Sequence, residues 1–193
     1  DQEHRDFEWV VVDGGSTDGT RQFLERSSDI VTHWVSEPDF GIYHALNKAL
    51  AMARGDYYVV LGADDQLAPG ALRAYARAAG QTNADVISAR VRIDGVVVSR
   101  RKVAGGLRSG PPGVSAHSVG SLIRRSLHNE LGFYSRRLPI AADTLFLLSA
   151  LKAGKRFEYL DEIVGSFGTS GVSSSDTLGA LTESMGAHLQ VDG

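Results

Sequence analysis

The chain has 193 residues, of which 42% are hydrophobic and 22% charged, and a formal net charge of −3; these values are typical of one soluble globular domain. It contains no cysteine, which excludes disulfides, thiolate metal sites and cysteine nucleophiles. The balanced charge argues against nucleic acid as a partner, and no apolar run approaches the roughly 18–20 residues of a membrane span. Since the N-terminus also lacks a signal-peptide pattern, we expect a cytoplasmic protein.

The first 83 residues alternate between predicted strands and predicted helices. Apolar, β-branched runs predict strands, and helical spacing with capping and stop signals predicts helices. The strands are at 7–12, 30–35 and 57–61, and the helices at about 16–26, 42–54 and 69–80. This alternation predicts a three-layer α/β fold with parallel strands, in which ligands bind beyond the C-terminal ends of the strands.

Carboxylates follow two of these strands, at Asp13 and at Asp64-Asp65, so the pattern places three acids on one rim of the sheet. The turn after Asp13 is neither a phosphate-binding loop nor a dinucleotide fingerprint, because the lysine and the glycine spacing are missing. On the residues alone, Asp13 either shapes a turn or binds a ligand. Asp64 and Asp65 either cap the next helix and face water, or hold a hard divalent cation together with substrate phosphates.

The second half has a different pattern. Asp94-Gly95 between two apolar runs predicts a hairpin of 86–93 with 96–99, and residues 104–116, rich in Gly and Pro, predict a long loop. Further strands are expected at 118–123 and 156–167, and helices at 143–152 and about 177–190. The Gly- and Ser-rich stretch 168–176 is expected to be a flexible link.

Four segments in the first half resemble, in order and spacing, family-2 glycosyltransferases of the GT-A fold, in particular the bacterial polysaccharide-assembly branch. They are 12–20 (Val-Asp-Gly-Gly-Ser-Thr-Asp-Gly-Thr), 36–48 (Ser-Glu-Pro-Asp-Phe-Gly-Ile-Tyr-His-Ala-Leu-Asn-Lys), 55–57 (Gly-Asp-Tyr) and 61–65 (Leu-Gly-Ala-Asp-Asp). Later matches at 116–118, 140–143 and 171–173 extend the resemblance over nearly the whole chain. Each motif is weak alone, but together they are specific.

The resemblance implies a fold and an activity. The fold is a GT-A-type α/β/α sandwich with a mostly parallel central sheet and a smaller mixed region on the acceptor side. The activity is inverting transfer of a sugar from a nucleoside-diphosphate sugar, UDP-linked by expectation, to a saccharide or lipid-linked saccharide. The chain is then one domain, 1–193, with a nucleotide-sugar-binding half (1–83) and an acceptor-side half (84–193). A lipid-linked acceptor implies peripheral contact with the inner face of the membrane.

The resemblance also assigns roles to particular residues. Asp143 falls on the catalytic base, and Asp64 with Asp65 falls on the acidic motif that contacts the donor diphosphate through Mn²⁺ or Mg²⁺. The positions that match donor-binding residues are Asp13, Asp39, Tyr43, Asn47 and Asp64.

Four departures from the family pattern leave two other interpretations open. Gly62 replaces the first acid of the metal motif, Leu46 replaces an arginine that some relatives direct at the diphosphate, and His44 replaces a further acid. A strand and helix that relatives have before Gln2 are missing. We therefore expect a truncated chain. The alternatives are a non-catalytic relative that binds nucleotide-sugars or glycans, and a sugar nucleotidyltransferase on a related sheet.

Overall fold

The strands and helices follow the predicted order in a computed structural model, which describes residues 2–98, 118–171 and 175–192. The strands are β1 (Val10–Asp13), β2 (His33–Ser36), β3 (Tyr57–Val59), β4 (Gln66–Leu67), β5 (Val86–Ile93), β6 (Val96–Val98), β7 (Ser121–Arg124) and β8 (Phe157–Phe167). The helices are α1 (Thr20–Arg26), α2 (Ile42–Met52), α3 (Ala71–Thr82), α4 (Leu127–Leu131), α5 (Ala142–Lys152) and α6 (Thr177–Asp192), and a 3₁₀ turn, Ser118–Gly120, precedes β7.

Local turn chemistry explains several of these boundaries. Asp94 and Gly95 both have positive φ, 48° and 79°, as a two-residue hairpin turn with the twist of its strands requires, and β5 and β6 pair antiparallel on either side. The prediction that α3 ends near Gly80 is short by two residues: the helix continues to Thr82 and ends at Asn83, which adopts the left-handed conformation. The predicted loop 104–116 lies outside the described residues.

The strands form two sheets. β1 and β2 pair in parallel, with Asp13 opposite Ser36. The other six form a sheet in the order β3-β7-β5-β8-β4. β6 pairs with the end of β5 that β7 does not reach. The α/β class is as predicted, but the sheet is mixed and not mostly parallel. Among the strands of the described segments, only β5 and β8 pair in parallel there, and the other four pairings are antiparallel. Strands that are joined by a hairpin, or by another connection that reverses the direction of the chain, pair antiparallel, whereas parallel neighbours need a crossover connection.

Alternate residues of the six-stranded sheet face two helical layers. Ile87 and Leu122 point to a core shared with α3, whereas their neighbours Val86 and Ile123 point to a core shared with α2, α4 and α5. This period of two is what a sheet covered on both faces produces. A third cluster, Leu148 with Ala187 and Val191, packs α6 on α5.

Among the helices of the described segments, none is both long enough and apolar enough to cross a membrane.

Candidate active site

Asp13 is held at the end of β1 by bonds from its own turn and from the neighbouring strand. Its carboxylate accepts hydrogen bonds from the Ser16 amide at 3.1 Å, the Ser16 hydroxyl at 2.5 Å and the Ser36 hydroxyl at 2.7 Å. These donors, the Ser16 hydroxyl first, hold the pKa of Asp13 below its ordinary value. The buried carboxylate therefore stays ionised and shapes the turn 13–16.

Asp39 lies against this turn. One of its oxygens accepts the Gly41 amide at 2.8 Å, and a Cβ placed on Gly14 would lie only 2.9 Å from the other oxygen. Gly14 therefore permits the close approach of Asp39, and the structure brings Asp13, Asp39 and Ser36 together at the C-terminal ends of β1 and β2.

Asp64 and Asp65 are held by the chain that follows β8. β4 pairs antiparallel with the end of β8, which brings residues 168–170 beside the two acids. Asp65 accepts the Gly168 amide at 2.9 Å, and exposed Asp64 accepts the Ser170 amide at 3.1 Å and its hydroxyl at 2.5 Å. The Ser170 bonds, that of the hydroxyl first, lower the pKa of Asp64. The prediction of a flexible link from 168 to 176 is wrong for its first residues, because these acids bind them.

Asp143 lies in the first turn of α5 and is joined to the start of α2. Its Oδ1 accepts the Tyr43 hydroxyl at 2.9 Å and the Thr144 amide at 2.7 Å, and its Oδ2 receives neither bond. Burial raises the pKa of Asp143 above the ordinary value of an aspartate, although Tyr43 and Thr144 oppose the shift. A raised pKa is one of the properties that a general base needs.

The side chain of Asn47 is hydrogen-bonded to the loop before α5. Its side-chain amide donates to the Tyr134 carbonyl at 2.9 Å, and its side-chain carbonyl accepts the Tyr134 amide at 3.0 Å. The side chain thus holds both backbone polar groups of one residue, which fixes Tyr134 beside Asp143. The predicted contact of Asn47 with the donor stays a prediction.

The structure divides the predicted residues into three groups. Asp13 and Asp39 lie at the C-terminal ends of the strands of the two-stranded sheet. Asp64 and Asp65 lie between β3 and β4 of the six-stranded sheet. The third group, in the region where α2 meets α5, consists of Tyr43, Asn47 and Asp143. The prediction of three acids on the rim of one parallel sheet is wrong in this respect, because β3, which leads to Asp64, pairs with β7 and not with β1.

Some residues of the site were missed by sequence reasoning. Glu183 of α6 accepts the amides of Ile140 and Ala141 at 2.8 and 3.0 Å, just before α5, and Ser170 bonds Asp64. Both contacts join residues far apart in the chain, so no local pattern signals them. Tyr58, Tyr134 and His128 form a buried hydrogen-bonded cluster behind Asp143, for which the sequence offered no motif.

Similarity to known proteins identifies the family of the chain. The chain matches the family model described as Glycosyl transferase family 2 over residues 1–163, and it therefore belongs to that family, as its motifs predicted. The putative teichuronic acid biosynthesis glycosyltransferase TuaG of Bacillus subtilis is 42% identical over 69 residues, which are 34% of this chain and 27% of TuaG. A PGL/p-HBAD biosynthesis glycosyltransferase of Mycobacterium bovis is 39% identical over 67 residues, 32% of this chain and 25% of the relative. The chain thus matches about a quarter of the length of these curated relatives.

Solved structures confirm the fold. S. aureus TarS 1-349 in complex with UDP has a TM-score of 0.68 and 23% identity, covering 100% of this chain and 60% of TarS 1-349. The mannosyltransferase PcManGT from Pyrobaculum calidifontis, in complex with GDP-Man and Mn²⁺, has a TM-score of 0.70 and 22% identity, covering 95% of this chain and 55% of PcManGT. Similarity at this level of identity establishes the α/β fold of these glycosyltransferases for the present chain.

Proposed function

We propose that this chain transfers a sugar from a nucleoside-diphosphate sugar, with uridine as the nucleoside, to a hydroxyl of a saccharide or lipid-linked saccharide, with inversion. Family membership supports glycosyl transfer, and it favours this activity over the nucleotidyltransferase alternative. The complexes of TarS with UDP and with UDP-GlcNAc support uridine. The relative named for teichuronic acid biosynthesis supports a saccharide acceptor.

Asp143 is the proposed general base, and its environment is the observation that carries the catalytic part of the proposal. An acceptor hydroxyl is a poor nucleophile until its proton is removed. The hydroxyl proton passes to Oδ2 of Asp143 while the acceptor oxygen bonds to the anomeric carbon. The bond from that carbon to the diphosphate oxygen breaks on the opposite face, so a single displacement inverts the configuration.

The turns after β1 and β2 are the proposed donor site. The Asp13 and Asp39 carboxylates are fixed there by hydrogen bonds from the backbone and from serine hydroxyls, so they form a rigid, negatively charged wall. Such a wall suits hydrogen bonds from the N–H and O–H groups of a base and a ribose. Asp64 would lie on the diphosphate side of this site.

Asp64 and Asp65 are the proposed ligands of Mn²⁺ or Mg²⁺. A Cβ placed on Gly62 would lie 3.3 Å from Asp64 Oδ1 and 3.1 Å from Asp65 Oδ2, so the glycine lets both carboxylates lie close to the backbone of this turn, where the Gly62 amide donates to Asp65 at 2.8 Å. Hard cations prefer such carboxylate oxygens together with substrate phosphates. When bound, the ion would neutralise charge on the leaving diphosphate. The complex of PcManGT with Mn²⁺ supports this assignment.

A thermal-shift panel with UDP, dTDP, GDP and ADP, each with and without Mn²⁺, tests the donor site. Ligand at about 100 times its Kd stabilises a protein by about 2.7 kcal/mol, which is about 5–10 °C for a domain of this size. We expect the largest shift with UDP and Mn²⁺, and its loss in the Asp64→Asn/Asp65→Asn variant. No shift with any nucleotide would mean that this chain lacks a working donor pocket, whereas a shift without any turnover would favour the non-catalytic alternative.

The Asp143→Asn variant separates catalysis from binding. It keeps the shape of the side chain and removes its basicity, so the nucleotide shift should persist. Release of nucleoside diphosphate from the corresponding sugar donor, with added saccharides or water as acceptor, should fall by about 10²-fold or more. Turnover near that of the unchanged chain would refute the assignment of Asp143 as base.

A further inference from the structure

Tyr43 presents one hydroxyl to two acceptors at the junction of α2 and α5. The oxygen lies 2.8 Å from the Ile140 carbonyl and 2.9 Å from Asp143 Oδ1, and the side chain is only 6% exposed. A phenolic hydroxyl has a single proton to donate. It can therefore donate to Asp143 when that carboxylate is ionised, and to Ile140 when Asp143 carries a proton.

The charged form of Asp143 benefits more from this arrangement. A hydrogen bond to an ionised acceptor is about twice as strong as a neutral one. Burial, and then the charge of Asp143, raise the pKa of Tyr43 far above its ordinary value, so the hydroxyl keeps its proton at every working pH. Tyr43 is thus a permanent donor facing a titrating acceptor.

The other groups around Asp143 offer little compensation for its charge. In the part of the chain that the structure describes, the titratable groups facing it are tyrosines: Tyr43 from α2, Tyr58 from β3 and Tyr134 from the loop before α5. Behind Tyr58 lies His128 of α4, whose pKa is lowered by burial. Glu183 of α6 accepts the Ile140 and Ala141 amides and adds negative charge. The favourable interactions that remain are local to the start of α5: the bond from the Thr144 amide, the contributions of the Thr144 hydroxyl and of the Asp143 amide, and the N-terminus of the helix.

We propose that Tyr43 is the positioning residue of the general base: its hydroxyl keeps Asp143 ionised and pins Oδ1, so that Oδ2 faces the acceptor. This inference rests on the proposed function of Asp143. It gives Tyr43 a role different from the donor contact expected from the sequence, because the hydroxyl is buried against α5.

Thr144 offers a readout that needs neither donor nor acceptor. Its amide lies 2.7 Å from Asp143 Oδ1, so its ¹H and ¹⁵N shifts should report the titration of that carboxyl. In a pH series of HSQC spectra, we expect the midpoint in Tyr43→Phe to move to higher pH, because the charged form loses its donor. An unchanged midpoint would overturn the inference.

Tyr75→Phe is the matched control. Tyr75 is 1% exposed and its hydroxyl also donates to a backbone carbonyl, that of Val119 at 3.0 Å, but in the core shared with α3. The Thr144 midpoint should not move in this variant. If Tyr43→Phe does not fold, 3-fluorotyrosine at position 43 replaces it: the more acidic hydroxyl should move the midpoint to lower pH, and no movement would count against the proposal.

Kinetics separate this inference from the proposed base. In the pH profile of kcat/KM, measured with the donor that gives the thermal shift, the acid limb of Tyr43→Phe should move to higher pH. At pH values below the acid limb, kcat/KM of Tyr43→Phe should be about 10-fold or more lower than that of the unchanged chain, and at pH values above the limb the difference should be small. If Asp143→Asn is inactive and Tyr43→Phe loses activity equally at every pH, the base stands and the role of Tyr43 is refuted. If Asp143→Asn is active, the base itself fails.

Discussion

Ser170 competes with any cation for Asp64. Its hydroxyl and amide both donate to one oxygen of that exposed carboxylate, and the contact must rearrange if that oxygen is to bind a metal. A typical hydrogen bond is worth roughly 0.5–1.5 kcal/mol net. We therefore expect Ser170→Ala to tighten Mn²⁺ binding in the presence of UDP by about 2- to 10-fold, measured by isothermal titration calorimetry.

The control for this experiment is Ser149→Ala. Ser149 donates to the Leu145 carbonyl inside α5 at 2.8 Å, so its removal should leave Mn²⁺ binding unchanged. Weaker binding in Ser170→Ala would mean that the hydroxyl supports the bound metal or nucleotide instead of competing with it.

The contacts of these acids show which parts of a site a sequence can predict. Asp13 bonds Ser16 three residues away, and such a short turn can be predicted from its Asp, Gly and Ser residues. Asp143 and Tyr43 are 100 residues apart, and Asp64 and Ser170 are 106 apart. Motifs identified these acids as candidates, but only the packing of α2 on α5 and of β4 on β8 determines their partners.

At the scale of elements, α6 stabilises the N-terminus of α5. Glu183 accepts two amides that precede the first turn of α5, where negative charge is favourable, while Ala187 and Val191 pack on Leu148. Glu183→Ala leaves both amides unpaired, and we expect it to lower the free energy of unfolding by about 1–2 kcal/mol. Denaturant unfolding measures this change, and kcat should fall because Asp143 loses its support.

Glu162→Ala is a suitable comparison, since Glu162 pairs with Arg77 at the surface and such pairs contribute little. Equal losses of stability in the two variants would show that Glu183 is only another surface carboxylate. A loss of stability in Glu183→Ala with unchanged kcat would show that the position of Asp143 does not depend on α6.

Elements with local signals were predicted well, and their pairing was not. Asp94-Gly95 predicts its hairpin because the turn type needs residues that accept positive φ. The direction of β3 has no such signal: alternating strands and helices indicated a parallel neighbour, but β3 pairs antiparallel with β7, more than sixty residues later. A short apolar strand has the same hydrophobic pattern whichever way the chain runs, so tertiary packing determines whether it pairs parallel or antiparallel.

At the scale of the molecule, the β1–β2 sheet is joined to the rest of the chain by contacts that acid should weaken. Glu8, just before β1, accepts the amides of Arg54 and Gly55, just before β3. Burial tends to raise the pKa of Glu8, but these amides lower it on balance, and the pKa of Asp13 at the end of β1 is lowered as well. A carboxyl with a lowered folded pKa stabilises the fold above its unfolded pKa and loses that effect as pH falls through the folded pKa.

Asp143 has the opposite sign, since burial raises its pKa and protonation relieves the cost of its buried charge. Among the described carboxyls whose pKa is lowered, Glu8, Asp13, Asp18 and Glu37 flank β1 or β2, and exposed Asp64 is the one beside the six-stranded sheet. Acid should therefore open the β1–β2 sheet before the six-stranded sheet. We expect hydrogen-exchange mass spectrometry, corrected for the intrinsic rate at each pH, to show protection falling first in peptides covering 8–13 and 32–37. Glu8→Gln should lower protection there already at neutral pH, whereas Glu158→Gln, on an exposed position of β8, should not. If both sheets lose protection together, the molecule unfolds as one cooperative unit, and the contacts of Glu8 do not determine the stability of the β1–β2 sheet.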